Sequence, residues 1–234
     1  MPSVAELSAP YANFMLAPRS GPSTCEVCFN FTRGYQRCYA CAHSPQWLDV
    51  VAPISYSVAT EQLHRALMVY KRLTGEIARR VGVELAAVLW RHLDAHEQCV
   101  AQAAGLDHFQ LVTTVPGRSE RHPLPRIVGE LIGPTRDRYQ PLLRRASVGE
   151  ERAFDADKFE PLETLAGQPV LLIDDTWTTG ASAQSAAAAV KAAGSGPVAA
   201  VVIGRHVNRD WHENDRRLRA IPLPFDWERC SLCG

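Results

Sequence analysis

Continuous apolar runs along the chain predict buried strands, and each is followed by turn residues or by a helical pattern. The run over 169–173, for example, precedes a polar, threonine-rich stretch. Such runs indicate strands covered on both faces, as in a parallel sheet. The predicted strands span 50–58, 109–115, 169–173 and 198–203.

Helical periodicity appears between these runs. Leu63, Leu67 and Tyr70 share one face of a predicted helix over 60–72, and residues 76–96 continue the pattern in a second helix. An alanine-rich helix is predicted over 180–193. Alternating strands and helices predict an α/β fold, a parallel sheet flanked by helices, whose ligands bind beyond the carboxyl ends of the strands.

Three segments lack a clear pattern. Residues 1–24 predict a loosely packed N-terminal lead-in. Residues 134–168 predict an excursion, a long segment without regular structure that is exposed to solvent. Between the excursion and the preceding strand, Pro123 and Pro125 delay a short helix until about 126–131.

Composition adds limits on function. A chain of 234 residues with 46% hydrophobic content can bury a full core, and 25 basic residues balance 25 acidic ones. Because these charges balance, the composition predicts no overall electrostatic attraction of the protein to nucleic acid or to an anionic membrane. The arginines of residues 205–219 are interleaved with acids, which predicts a solvated helix rather than a nucleic-acid surface.

No targeting pattern or membrane-spanning run is visible, so we expect a cytoplasmic protein that does not bind membranes.

Six of the seven cysteines form C-x-x-C pairs. Cys25, Cys28, Cys38 and Cys41 form two closely spaced pairs, the pattern of a tetrahedral zinc site. So small a unit cannot fold on its own apolar core, and metal binding would supply its folding energy. We therefore predict a lead-in and zinc-binding unit over 1–47 and a main domain over 48–234.

The third pair, Cys230 and Cys233, lies at the end of the chain. Three arrangements are open: a four-cysteine N-terminal site with a free tail pair, an N-terminal pair completed by the tail pair, or two metals. The two-metal arrangement would use histidines such as His43, His206 or His212. The first arrangement is favoured, with the tail docking near the zinc unit. Cys99 is interpreted as a buried small apolar residue.

The sequence LLIDDTWTTGAS, residues 171–182, carries the strongest chemical pattern. Asp174 and Asp175 follow the buried strand and can accept hydrogen bonds from the vicinal hydroxyls of a ribose. The threonines add hydroxyl donors, Gly180 permits close approach of the backbone, and the start of the next helix favours a phosphate. The alternative is a strand-end turn with a helix N-cap, but a cap needs only one acceptor.

Residues 170–182 resemble the motif by which type I phosphoribosyltransferases bind 5-phosphoribosyl 1-pyrophosphate (PRPP) with Mg²⁺. With the cysteine pairs, the segment LHRALMVYKRLTG at 63–75 and RAF at 152–154, the chain resembles the ComF-type family. That family is a zinc-containing, phosphoribosyltransferase-like group, linked in some bacteria to DNA uptake in competence.

The resemblance implies roles for particular residues. Asp174 and Asp175 would hold the ribose hydroxyls, and the turn at 115–120 would be the pyrophosphate loop, with Arg118 facing the diphosphate and Arg121 nearby. Lys71 matches a family lysine that would add a cation for the phosphates, although a solvated lysine at a helix end explains it equally well. The 5′-phosphate would be held by Thr176, Thr178, Thr179, Gly180, Ala181 and Ser182.

Two functions remain open. The first is a PRPP-dependent phosphoribosyltransferase that acts on a small acceptor and releases pyrophosphate. The second is a non-catalytic module that senses PRPP or a nucleotide while the zinc unit engages a protein partner, for example in DNA uptake. The second is favoured by the stretch RSERHPLPRIVGE, which stands where the family has a sequence like Arg-Gly-Phe-Asn-Gln. His108 and His122 are candidate acid/base groups, although a loop or surface position is the commoner role for such histidines.

Overall fold

A parallel four-stranded sheet forms the centre of the molecule. The computed structural model describes residues 2–119, 121–146 and 152–233. The strands are β1 (Val50–Val58), β2 (Leu111–Thr114), β5 (Val170–Trp177) and β6 (Val198–Val207), with β3 and β4 lying outside this sheet. Their order is β1-β6-β5-β2. The predicted parallel sheet is thereby confirmed.

The two central strands are apolar on both faces because helices cover both faces. Val170 pairs with Val198 of β6 and with Leu111 of β2, so β5 is hydrogen-bonded on both sides. Residues Val198 to Gly204 of β6 and Val170 to Ile173 of β5 are all buried. Burial on two faces explains why these strands read as continuous apolar runs rather than as alternating ones.

Helices pack on each face. Helices α3 (Gln62–Arg72) and α4 (Glu76–Ala103) contribute Leu67, Leu89 and Leu93 to the core that contains Leu171 and Ile173 of β5. Helix α7 (Ala181–Ala192) contributes Ala183, Ala186 and Ala187 to a second core with Leu172 of β5. Small alanine side chains let α7 lie close to the sheet. The α/β architecture with flanking helices agrees with the sequence prediction.

The prediction of a loosely packed lead-in was wrong. Helix α1 (Val4–Ser8) is capped by Ser3 and runs into a 3₁₀ helix at Ala9–Asn13. Tyr11 and Met15 are buried in the main core, and the Tyr11 hydroxyl donates to Glu84 of α4 at 3.3 Å. Isolated apolar residues among Ser and Pro show no periodicity, so the sequence alone did not reveal this packing.

The predicted exposed excursion is also more ordered than expected. Before it, the short helix predicted over about 126–131 begins two residues earlier, as α5 (Leu124–Arg126), and continues as a π-helical turn at Ile127–Leu131. The excursion itself starts within α6 (Gly133–Arg136). Strands β3 (Leu143–Arg145) and β4 (Phe159–Pro161) then form an antiparallel pair. Leu142 and Phe159 are buried under this pair. Within the described part of this segment, the backbone therefore packs against the domain; residues 147–151 lie outside it.

The predicted solvated helix over 205–219 is confined to its second half. Strand β6 continues to Val207, and only Asn214–Arg219 form a helix, α8. Arg205 is 3% exposed and donates to the carbonyl oxygens of Cys28 and Trp177 at 3.1 and 3.2 Å. None of the described helices is both long and apolar enough to cross a lipid bilayer.

Candidate functional site

Four cysteine side chains meet near the N-terminus. The Sγ atoms of Cys25, Cys28, Cys38 and Cys41 lie within 4.8 Å of one another, and all four residues are buried. Cys38 precedes helix α2 (Tyr39–His43), which contains Cys41. The Sγ atoms of Cys28 and Cys38 are 3.7 Å apart, close to the separation expected for two thiolates on one tetrahedral zinc ion. The predicted cysteine cluster is therefore present and can bind a metal.

Hydrogen bonds between side chains of the main domain and backbone groups of the N-terminal segment hold the cysteine cluster against the sheet and α7. The loop carbonyls of Cys28 and Phe29 accept hydrogen bonds from Arg205 of β6 at 3.1 Å and from Tyr56 of β1 at 2.7 Å. On the other side, the Gln184 side chain accepts from the backbone N–H groups of Trp47 and Leu48. Residues on either side of the predicted boundary at 47–48 thus contact the same helix, α7.

The tail cysteines do not join this cluster. Cys230 and Cys233 lie instead beside His96 and Cys99 of α4, with all four ligand atoms within 4.8 Å. Among the described residues, neither metal-competent group includes His43, His206 or His212. Cys99 is half-buried in this second cluster, so its interpretation as a buried apolar residue was wrong. A sequence offers no spacing rule for ligands that are this far apart.

The paired acids lie within β5 rather than after it. The strand continues through both acids to Trp177, four residues beyond the predicted end. Side chains of adjacent strand residues leave opposite faces of a sheet. Asp175 lies on the same face of the sheet as Leu171 and Ile173, which pack against α3 and α4. Asp174 lies on the opposite face with Leu172, which packs in the core that contains α7. The two carboxylates therefore have different surroundings.

Asp175 is buried and bonded to three side chains. Lys71, at the end of α3, forms an ion pair with its Oδ1 atom, and the hydroxyl of Tyr70 donates to its Oδ2 atom. The Nε2 atom of His122 lies 3.2 Å from the same Oδ2 atom. Lys71 also donates to the Thr176 hydroxyl at 3.1 Å. Two segments distant in sequence, the end of α3 and the loop at His122, thus converge on one carboxylate of β5.

The surroundings move the pKa values of the two acids in opposite directions. Burial opposes ionisation of Asp175, but the hydrogen bond from His122 and the charge of Lys71 outweigh it and hold the pKa of Asp175 below its usual value. Burial and the charge of Asp175 raise the pKa of Asp174 from 3.8 to about 7. Burial and Asp175 likewise raise the pKa of Tyr70. Asp175 is thus a fixed negative charge, and Asp174 titrates near neutrality.

Asp174 is half-buried and therefore accessible to a ligand. Its Oδ1 atom accepts a hydrogen bond from the backbone N–H of Asp175 at 2.8 Å, which orients the carboxylate. A carboxylate that is near its pKa can bind hydroxyl hydrogens, a cation or a proton with little rearrangement. Of the two acids, Asp174 is the one available for binding.

The turn from Thr178 to Ser182 leads into α7. Gly180 adopts φ +86° and precedes the helix, and the Thr179 hydroxyl accepts from the Ala181 N–H at 3.3 Å. A Cβ atom at position 180 would lie 2.1 Å from the Trp177 ring, so the indole fills the space that a side chain would need. Thr178 is exposed and Ser182 half-buried. The turn therefore presents hydroxyl groups and the amide end of a helix beside Asp174.

The predicted pyrophosphate loop follows β2. Arg118 and Arg121 are exposed in this loop, while Glu120 lies outside the described residues. The loop passes close to His122: a Cβ atom at Gly117 would lie 2.8 Å from the imidazole ring. His122 is thereby held against Asp175.

The contacts of two residues of this site were not expected from the sequence. Tyr70 was placed only on an apolar helix face, and His122 was a candidate acid/base group for which a loop or surface position was the commoner role. A tyrosine next to Lys71 at a helix end offered a weak signal, because buried tyrosines usually need a polar partner for the hydroxyl. Pairing either residue with Asp175 required the tertiary structure.

No protein-family model matches this chain, and no curated protein does. The chemical class of the ligand therefore rests on the groups of the site itself. These are an accessible acid near neutrality, a buried acid with a bound lysine, a hydroxyl-rich turn and the amide end of a helix. These groups can accept hydrogen bonds, donate them and attract an anion.

Proposed function

We propose that the chain binds PRPP with Mg²⁺ at the carboxyl end of β5 and transfers its phosphoribosyl group to a small acceptor. The observation that carries the proposal is the position of Asp174 near the carboxyl end of β5, the strand that leads into the turn before α7. The accessible carboxylate suits ribose hydroxyls, and the turn with the amide end of α7 suits the 5′-phosphate. The resemblance to the ComF-type family points to the same ligand.

In this reaction the bond from C1 of the ribose to the diphosphate oxygen breaks, and its electron pair leaves with the diphosphate. A bond from C1 to the acceptor forms, and the acceptor loses a proton to solvent. Asp174 would orient the sugar hydroxyls while the turn residues Thr178 to Ser182 hold the 5′-phosphate. Arg118 would face the departing diphosphate with its positive charge. The chain's main contribution is thus positioning and charge stabilisation.

Mg²⁺ fits this site because its preferred ligands are hard oxygen atoms, which a carboxylate and the phosphates of PRPP supply. Asp174 is the accessible carboxylate that would contact the ion or a water bound to it. When bound, Mg²⁺ neutralises the diphosphate charge and acts as a Lewis acid.

We assign a structural zinc ion to Cys25, Cys28, Cys38 and Cys41. Four buried sulfur donors at these separations match a closed tetrahedral Cys₄ site, which leaves no position for a substrate. The hydrogen bonds from Arg205 and Tyr56 support the loop behind the sulfur atoms. The exposed side of this unit is a candidate surface for a protein partner.

A second function is favoured by the state of Asp175. Because Tyr70, Lys71 and His122 already engage its carboxylate, only Asp174 is available for the ribose. A protein that senses PRPP or a nucleotide without turnover needs only a carboxylate that binds the ribose. This alternative shares the pocket but not the chemistry.

Two measurements test the proposal in sequence. Calorimetric titration with PRPP and Mg²⁺ should show binding that Asp174→Asn weakens at least tenfold, while the exposed Asp137→Asn leaves it unchanged. Pyrophosphate release is then measured with base, amine and water acceptors. Release supports the transferase, whereas binding without release across the acceptors supports the sensor. Equal PRPP affinity in Asp174→Asn and the original chain would overturn both.

A further inference from the structure

A second group of metal-binding side chains, separate from the Cys₄ unit, lies between α4 and the C-terminal segment. His96 and Cys99 come from the last turns of α4, and Cys230 and Cys233 from the C-terminal segment. Their four ligand atoms lie within 4.8 Å of one another. His96 is 4% exposed and Cys230 is 7% exposed, so two of the four residues are shielded from water.

The separations fit a tetrahedral ion. Zinc–sulfur bonds of about 2.3 Å and zinc–nitrogen bonds of about 2.0 Å place ligand atoms roughly 3.5–3.8 Å apart. The Nδ1 atom of His96 lies 3.7 Å from Cys233 Sγ and 3.9 Å from Cys99 Sγ. Cys230 Sγ and Cys233 Sγ are 3.1 Å apart, closer than two sulfur atoms on one zinc ion, so these two side chains would have to separate slightly on binding.

The hydrogen bonds around the group select the ligand atom of His96. Its Nε2 atom lies 2.8 Å from the carbonyl oxygen of Trp227. A carbonyl oxygen only accepts, so Nε2 carries the proton and Nδ1 keeps its lone pair, directed at the sulfur atoms. A backbone carbonyl that holds the second nitrogen of a histidine is the usual support of a metal-bound imidazole.

A backbone donor also supports the tail pair. The N–H of Leu232 donates to Cys230 Sγ at 3.3 Å. A cysteine sulfur can accept this bond and still offer a lone pair to a metal ion. The C-x-x-C pair is thus shaped as a metal-binding turn.

We propose that His96, Cys99, Cys230 and Cys233 bind a second zinc ion that fastens the C-terminal segment to α4. Three sulfur atoms and one nitrogen fill a tetrahedral zinc, so the site is structural. The segment also contacts α4 through Trp227, whose ring lies 4.4 Å from the guanidinium of Arg91. The Phe225 N–H donates to the carbonyl of Ala12 at 2.6 Å. The ion would therefore stabilise the packing of both ends of the chain on one helix.

Metal analysis of the full chain, purified without added metal or chelator, tests this proposal. We expect two zinc ions per chain. Cys99→Ser and Cys230→Ser should each retain one, as should the double variant Cys25→Ser/Cys28→Ser, which removes the other site. His92→Asn is the matched control: His92 is buried one helical turn before His96 and should retain two ions.

Cobalt substitution gives a spectroscopic readout that distinguishes the ligand sets of the two sites. Co²⁺ in the Cys25→Ser/Cys28→Ser chain should show the absorption of a tetrahedral S₃N centre, and Cys99→Ser the absorption of an S₄ centre. Amide exchange of residues 225–233 should become at least tenfold faster in Cys99→Ser, with β5 and β6 unchanged. One zinc ion in the original chain, or a Cys230–Cys233 disulfide in the freshly purified protein, would overturn the proposal.

Discussion

The hydroxyl of Tyr70 donates a hydrogen bond to the Oδ2 atom of Asp175, which lies 105 residues further along the chain. Both residues are buried, and the bond joins the end of α3 to β5, one of the two central strands. Hydrogen bonds to a buried charge are stronger than those between neutral groups. This bond therefore fixes the position of Asp175, and through the strand that of Asp174.

Tyr70→Phe should lower the free energy of unfolding by about 1.5–3 kcal/mol, the usual worth of a hydrogen bond to a charged group. Urea denaturation at neutral pH measures the loss. The control is Tyr56→Phe, which removes a buried hydroxyl bonded to the neutral carbonyl of Phe29 and should cost about 0.5–1.5 kcal/mol. Equal losses in the two variants would mean that the charge of Asp175 does not strengthen its hydrogen bond with Tyr70.

Lys71→Met should destabilise the protein at pH 7 by about 1–3 kcal/mol, because a buried carboxylate loses its cation. The pKa of Asp175 lies below its usual value of 3.8, so its contribution to stability is present above pH 3.8 and is lost as the pH falls further. Without Lys71 the pKa of Asp175 rises. The unfolding free energy of Lys71→Met should therefore change less between pH 5 and pH 2 than that of the original chain.

Lys191→Met provides the comparison for Lys71. Lys191 pairs with Asp49 at 2.9 Å, and its side chain is as exposed as that of Lys71, 26% in both cases. Asp49, however, is 39% exposed, so this pair should be worth about 0–1 kcal/mol. A loss for Lys191→Met as large as for Lys71→Met would show that partner burial does not matter here.

Asp174→Asn should stabilise the ligand-free protein at alkaline pH. The folded pKa of about 7 exceeds the usual 3.8, so the folded state binds more protons between these values and stability falls as the pH rises through them. The gain from Asn should be absent at pH 4 and reach about 1–2 kcal/mol at pH 8, since water screens a half-buried carboxylate. Thermal unfolding across this range measures it; a gain independent of pH would refute the titration.

Gly180→Ala should cost at least ~2 kcal/mol and weaken PRPP binding more than tenfold. The new Cβ atom would meet the buried Trp177 ring, and alanine disfavours the positive φ of this position. Gly105→Ala is the control: its φ is +72°, but no atom lies within 4 Å of the new Cβ, so only the backbone cost of about 1 kcal/mol applies. Denaturation and calorimetry separate the two effects, and similar losses would argue against the contact with Trp177.

The sequence by itself determined the local elements and the short-range sites. Apolar runs identified the four central strands, helical periodicity identified α3 and α4, and the pairs Cys25/Cys28 and Cys38/Cys41 identified a metal-binding cluster. These features follow from residues within a few turns of one another, where spacing alone constrains geometry. The acids of β5 were found for the same reason.

Only the tertiary structure decided which distant residues meet. Nothing in the chain pairs Tyr70 or His122 with Asp175, or His96 and Cys99 with Cys230 and Cys233. These contacts depend on how α3, α4 and the tail pack on the sheet, and packing sums many weak apolar contacts that no local pattern encodes. For the same reason, two adjacent aspartates that look equivalent in sequence became a fixed charge and a titrating, accessible acid.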